Sequence, residues 1–487
     1  MKKVLAIDMG ATSIRGILGF IKDGKLELKE VMRAKHTMSE KGERLRWDMP
    51  LFISNIEKAI LENKDEIVSV GIDTWGVDFG LLDKDLNFID EPICYRDSKH
   101  KEGFDEATGK MSEKEIFKET GTQLMVLNTL FQLLAYRKLD SKKYSEINKI
   151  VMMPDLIQFL LTGNVVGEET IWSTSQLFDI SKYDYSDEII NRFGLDRQIF
   201  PKLVTAGTLT GTLKGSHIES LKNLDINVVS VCGHDTASAV FMTKAMTDED
   251  YMFLSCGTWS LFGVRKDKCD MSEIAYEYNM TNELGYGHAN LFFKNMTGLY
   301  LLEKFKEQYE NELGRKLDFE EINKHVLSVF EEREKDELWK KIVESKGRAI
   351  VDMDYEEFGK EDVNAKKAIL DYLIQKDLPY PTEDMTYFAV IYESMVYKYL
   401  EIKKQIEKIT GKVYKKIHII GGGAKSPLLC QLVADILNVE VLAGPFEASA
   451  LGNILIQLEK AGEVKDFNEG IELVYKSQEV KTYKPNL

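Results

Sequence analysis

The sequence predicts an α/β protein built from two large domains, and three observations lead there. At 487 residues, 44% of them hydrophobic, the chain exceeds what one ordinary core organises, which points to two large domains or one domain with insertions. Short β-branched and aliphatic runs alternate with helical stretches along its length. A strand-turn-strand unit at the N-terminus is echoed near the middle, at Tyr251–Val264. The division is placed between residues 1–245 and 246–487, beside the acidic, turn-like Asp248–Asp250.

Composition narrows the function. A net charge of −16, from 64 basic and 80 acidic residues, argues against a nucleic-acid footprint or a basic membrane-binding face. An anionic ligand must then be held locally, by backbone amides, a metal ion and a few cations. Cys94, Cys232, Cys256, Cys269 and Cys430 are odd in number and form no CxxC pair, which speaks against a disulfide framework or zinc cage and for a reducing cytoplasm. The apolar start is cut by Asp8 and Gly10, too early for a signal peptide, and no later run is long enough to span a bilayer.

The first element is KVLAI, Lys3 to Ile7, and a second apolar run follows at Ile17 to Ile21. So few residues separate them that they form a hairpin rather than a βαβ crossover. Gly10, Ala11, Thr12 and Ser13 in the turn are small, and their amides and hydroxyls can approach phosphate oxygens; Asp8 is placed to hold Mg2+ through water, and Arg15 adds a cation. A plain glycine turn is the competing reading. A helix over about 50–63 and a strand at Val68 to Ile72 lead into GIDTWGVDFGLLD. There Trp75 and Gly76 form a candidate sugar platform with Asp78 as hydroxyl acceptor, or else a core Trp beside a solvated Asp.

Helical stretches are predicted over Ser112 to Tyr144 and Met152 to Leu161, with Asn128 among apolar neighbours and in need of a partner. EETIWSTSQ, from Glu168, reads as a polar wall. The run VVSVCGHDTASAV then carries a buried strand, a break at Gly233 and a helix opening at Thr236, so Asp235 stands at the handover. A carboxylate there can cap the helix or take a proton from a substrate hydroxyl.

In the second half, YMFLSCGTWSLFGV repeats the first plan around Gly257 and Thr258, and two such units can clamp a polyphosphate. Asn295 to Lys304 is read as the start of a helix, and Leu302 to Lys346 as solvated helices of mixed charge. Between Glu383 and Thr410, apolar residues at Met385, Phe388, Tyr392, Met395, Tyr399, Ile402, Ile406 and Ile409 step by threes and fours, and Gly411 stops the helix. KIHII, from Lys416, is a strand, and Gly421, Gly422 and Gly423 after it let a flat nucleoside approach the backbone. A last strand at Val439 to Ala443 and a small-residue helix entrance at Pro445 to Ile456 complete the chain.

From AIDMGATSIRG to GPFEASALGNI, and most specifically at GIDTWGVDFGLLD, CYRDS, GHDTASAV and LSCGTWSLFGV, the sequence resembles the FGGY carbohydrate kinases. The resemblance implies two ribonuclease-H-like domains of the actin-like ATPase fold, with ATP and a ketose in a central cleft. It makes Asp235 the general base and Ala11, Thr12, Ser13, Ile14 and Arg15 the first phosphate loop. Thr258 falls in the second loop, Asn295, Glu303 and Gly422 at the nucleotide, and Gly76, His234 and Thr236 at the sugar. The chain departs from the family pattern at Ile14, Glu303, Ala424 and Ser426. The implied reaction is transfer from MgATP to the C1 hydroxyl of L-rhamnulose, with L-fuculose or L-xylulose as alternatives. A cytoplasmic protein, monomer or dimer, without nucleic-acid or membrane partners is expected. A non-catalytic regulator on the same fold would lack the base, and Asp235 is present. A zinc or nucleophilic hydrolase fails because the seven histidines show no ligand spacing and no G-x-S-x-G elbow occurs.

Overall fold

The computed structural model describes residues 2–36, 38–360 and 363–486, so Met1, Thr37, Glu361, Asp362 and Leu487 lie outside the description. Two compact units are present. One comprises Met1–Glu249, Val264–Phe293 and Glu447–Val480; the other comprises Asp250–Gly263, Lys294–Phe446 and Lys481–Leu487. The first change of unit falls between Glu249 and Asp250, whereas the sequence reading set the division between 245 and 246. The units are not two consecutive halves: the chain returns to the first unit twice, and the second return supplies helices that pack on its sheet.

In the first unit, Lys3–Met9 and Ser13–Lys22 form the predicted hairpin, extended by Lys25–Lys35. Lys3–Met9 also pairs in parallel with Ile67–Thr74, which pairs in parallel with Asn227–Val229; Leu209–Thr212 closes the six-stranded sheet. Every residue from Val4 to Met9 is buried, as a central strand covered on both faces requires. One cover is the helix Ala448–Lys460, a late segment that packs back on the first sheet. Gln457 Nε2 donates to the Leu5 carbonyl at 3.1 Å, Ser69 Oγ donates to Gln457 Oε1 at 2.7 Å, and Asn453 Nδ2 donates to Asp73 Oδ2 at 2.6 Å. Gly452 lets this helix touch the helix Asp235–Phe241, since a Cβ there would lie 2.0 Å from the Ser238 carbonyl oxygen.

In the second unit, Tyr251–Cys256 pairs antiparallel with the first half of Trp259–Lys266 and parallel with Lys416–Ile420, which pairs in parallel with Glu440–Ala443. The long helix spans Thr386–Thr410 and ends at Gly411 with φ +69°; Phe388, Tyr392, Met395, Tyr399, Ile402 and Ile406 are buried, as their spacing predicts. The region around Asn295 differs from expectation. Asn290–Thr297 is a strand, and the helix begins only at Tyr300, after Gly298. Gly298 must pack flat on the turn at Gly257, whose carbonyl oxygen a Cβ would meet at 2.5 Å. No described helix is long and apolar enough to cross a membrane.

Candidate active site

The C-terminal ends of the parallel strands in the first unit gather most of the predicted residues, the usual place for a site in an open α/β sheet. The hairpin register sets Asp8 opposite Arg15, and the parallel register sets it beside Asp73. Arg15 pairs with Asp8 and also with Glu447, while Ser449 Oγ donates to Asp8 Oδ2 at 2.9 Å. Burial lowers the proton affinity of Arg15, but the two carboxylates outweigh it and carry the guanidinium above its ordinary value. Arg15 therefore has its charge partnered inside the protein. The turn is braced by His36, whose Nε2 donates to the Gly10 carbonyl at 2.8 Å; burial pushes this imidazole down, so it stays neutral. Thr12 is exposed and Ala11 and Ser13 half-buried. Ile14 differs: its side chain is fully buried in the strand, so only its backbone could face a ligand.

Thr74 N donates to the Gly233 carbonyl at 2.8 Å and Trp75 N to the Met9 carbonyl at 3.2 Å, which brings Gly76, His234 and Asp235 beside the hairpin end. Asp235 is the first residue of its helix, one earlier than predicted. It does not cap that helix, because the capping position falls to His234 and no side-chain cap bond forms. Its side chain is 29% exposed, with Thr236 Oγ1 donating to Oδ1 at 3.3 Å. Burial pushes its carboxyl up to about 6, with His234 opposing and Asp8 adding to the shift. A carboxylate so tuned is ionised at neutral pH and yet basic enough to accept a hydroxyl proton in a transition state.

Asp78 corrects the sequence reading. It is fully buried, and Oδ2 accepts from Trp47 Nε1 at 2.6 Å, Trp75 Nε1 at 2.9 Å and Tyr95 N at 3.2 Å, while Oδ1 accepts from Gln132 Nε2 at 2.9 Å. It is neither solvated nor available to a sugar hydroxyl. Trp75 is 6% exposed and packs against Trp47, with ring centroids 4.3 Å apart, and against His36 and Phe52. Together these residues form one buried aromatic cluster.

Three buried acids escaped the sequence reading. Among the described residues Asp73 accepts only from Asn453 and its Oδ1 has no partner; burial, and then Asp8, raise its carboxyl well above the usual range. Glu168, which the sequence places in a polar wall, holds the turn at Gly233: Oε2 accepts from Gly233 N at 2.9 Å, Thr170 N at 3.0 Å and Ile171 N at 3.2 Å. Burial pushes its carboxyl up to about 7. Glu283 stands 3.1 Å from His234 Nδ1. Asn128, expected to need a partner, finds Gln123 and Gln176.

In the second unit, the turn at Gly257 and Thr258 is closed by Gly257 N donating to the Trp259 carbonyl at 2.8 Å and by Gly298 N donating to the Thr258 carbonyl at 3.0 Å. Gly421, at φ +79°, and Gly423 pack on Cys256, and exposed Gly422 lies against Leu299, so the glycine triplet and this turn form one surface. Asn295 lies on the strand leading into Gly298, and Glu303 is an exposed residue in the first turn of Tyr300–Leu313.

The sequence profile described as "FGGY family of carbohydrate kinases, N-terminal domain" matches residues 3–242, and the corresponding C-terminal profile matches residues 252–460. The chain belongs to the FGGY family of carbohydrate kinases. Relatives described as rhamnulokinases match over almost the full length. That of Bacteroides thetaiotaomicron is 33% identical, over 99% of this chain and 95% of its own, and that of Ligilactobacillus salivarius is 33% identical over 100% and 96%. The Bacillus subtilis protein is 32% identical over 99% and 95%. Among solved structures, a ligand-bound xylulose kinase from Lactobacillus acidophilus aligns with a TM-score of 0.76 at 15% identity, over 100% of this chain and 94% of its own. Plasmodium falciparum glycerol kinase with ADP aligns at 0.75 and 17% identity, over 100% and 95%. These likenesses establish the FGGY fold, two domains of the actin-like ATPase type.

Proposed function

We propose that this FGGY kinase phosphorylates L-rhamnulose at the C1 hydroxyl with ATP, in the cytoplasm, where its five free cysteines stay reduced. The observation that carries the substrate is the end-to-end similarity to rhamnulokinases, and the one that carries the chemistry is Asp235. The C1 oxygen attacks the γ-phosphorus, the bond to the β,γ-bridging oxygen breaks, and ADP leaves. The hydroxyl proton passes to the Asp235 carboxylate. Gly76, His234 and Thr236 hold the sugar. By the family resemblance, Ala11–Arg15 are the positions for phosphate contact in the first unit, and Thr258, Gly422 and Asn295 those for nucleotide contact in the second.

Magnesium, when bound with the nucleotide, supplies charge neutralisation at the transferring phosphoryl group. Among the described residues no three acidic, histidine or cysteine side chains are grouped to hold a metal, and Asp8 is already engaged by Arg15 and Ser449. That donor set fits an ion carried by phosphates and water with Asp8 in its outer shell. A coupled ADP-release assay with L-rhamnulose, L-fuculose and L-xylulose tests the substrate. L-rhamnulose should give the highest kcat/KM, and a preference for either other ketose would reassign it.

A further inference from the structure

Glu283 lies on the short strand Thr281–Leu284, all four residues of which are buried. The strand is anchored on both sides of it: Asn282 N donates to the Gly121 carbonyl at 2.8 Å, Asn282 Oδ1 accepts from Asp270 N at 2.6 Å, and Leu284 N donates to Ser173 Oγ at 3.0 Å. Glu283 Oε1 accepts from Thr281 Oγ1 at 3.3 Å. Oε2 has no aligned hydrogen-bond donor, yet it stands 3.1 Å from His234 Nδ1. A buried carboxylate is costly unless a positive or strongly polarised hydrogen faces it. The imidazole is the group that can supply one here.

We propose that Glu283 is a positioning residue for the sugar side of the site, acting through His234. The inference rests on the kinase reading above. Glu283 keeps the proton on Nδ1, whether the ring is neutral or charged, so Nε2 is the nitrogen left for a ligand hydroxyl. Nε2 lies 3.7 Å from Asp235 Oδ1, so a ketose bound there presents neighbouring hydroxyls to both groups. The backbone of the same turn is held independently, by Glu168 at Gly233 N and by Thr170 Oγ1, which accepts from His234 N at 3.4 Å. Ring and backbone thus have separate tethers. Burial lowers the proton affinity of His234, but Glu283, then Asp235 and Glu168, outweigh it and the net shift is upward.

Two measurements on the full chain test this. In 15N-resolved imidazole spectra, with the His234 signal assigned by its loss in His234→Asn, the wild type should show Nδ1 protonated, and Glu283→Gln should lose that preference. An unprotonated Nδ1 in the wild type overturns the proposal, whether or not any ketose is turned over. In steady-state kinetics, Glu283→Gln should lower kcat/KM for the ketose about tenfold or more, the worth of one hydrogen bond to a charged group, with KM for ATP within about twofold and partial recovery in Glu283→Asp. Equal losses for both substrates, or none, overturn it. If the wild type turns over no ketose, the kinase reading fails while the imidazole spectra still decide the role of Glu283.

Discussion

The most direct test of the chemistry is the response of the rate to the ionisation of Asp235. Its carboxyl is pushed up to about 6. The ionised fraction then falls from about nine tenths at pH 7 to just under about one tenth at pH 5, so kcat/KM for the ketose should drop about tenfold between those values and about tenfold per unit below. The acid limb follows from the sign: the active form is the ionised one, and it is lost as pH falls through 6. Asp235→Asn should reduce turnover by about 10²–10⁴-fold, the usual worth of a positioned base, and should abolish that limb. Folding raises this pKa, so ionised Asp235 costs stability above pH 6. The amide variant should accordingly be more stable at pH 7.5, by about 1–3 kcal/mol. Coupled ADP release from pH 4.5 to 8.5, with circular dichroism confirming the fold at each point, measures the first two effects, and thermal melts measure the third. A rate flat down to pH 5, or an Asn variant keeping a tenth of wild-type turnover, would refute the assignment of the base.

The remaining predictions concern packing around the two sites. Gly423→Ala would put a Cβ 2.4 Å from Cys256 Sγ; it should raise KM for ATP and leave ketose affinity by calorimetry unchanged, since it disturbs only the turn at Thr258. Asp78→Ala strands the buried Nε1 groups of Trp47 and Trp75; a loss of about 3 kcal/mol in denaturant melts is expected, with a changed tryptophan spectrum and a higher KM for the ketose than for ATP relative to wild type. Gly452→Ala collides with the Ser238 carbonyl at 2.0 Å; it should cost about 2–3 kcal/mol and lower turnover, because the displaced helix carries Asp235.

Much of the local structure was legible from residue pattern. The stepping of Phe388 to Ile406 by threes and fours marks a buried helix face because 3.6 residues make a turn, and Gly411 stops it through its left-handed backbone. The hairpin at Gly10 and the strand-to-helix handover at Asp235 were readable for the same reason: turn chemistry and strand alternation act over a few residues. Asn295 lies on a strand rather than in the expected helix because the stretch NMTG carries no period, and pairing in a sheet overrides local preference.

By itself, then, the sequence determined most of the elements, the family and the place of Asp235 at a strand-to-helix handover. Only the tertiary structure decided who faces whom. Asp78 and Trp47 are 31 residues apart, and Arg15 and Glu447 are 432 apart. Nothing in either neighbourhood predicts that one acid gathers two indoles or that a late glutamate pairs with Arg15. The division into units shows the same thing, since residues 447–480 return to the first unit to pack on its sheet and residues 264–293 return to deliver Glu283 to His234. Propensity and periodicity are local, whereas the partner of a buried charge is set by packing across the whole chain. Buried acids such as Glu283 and Glu168 are therefore the part of the site that no stretch of sequence reveals.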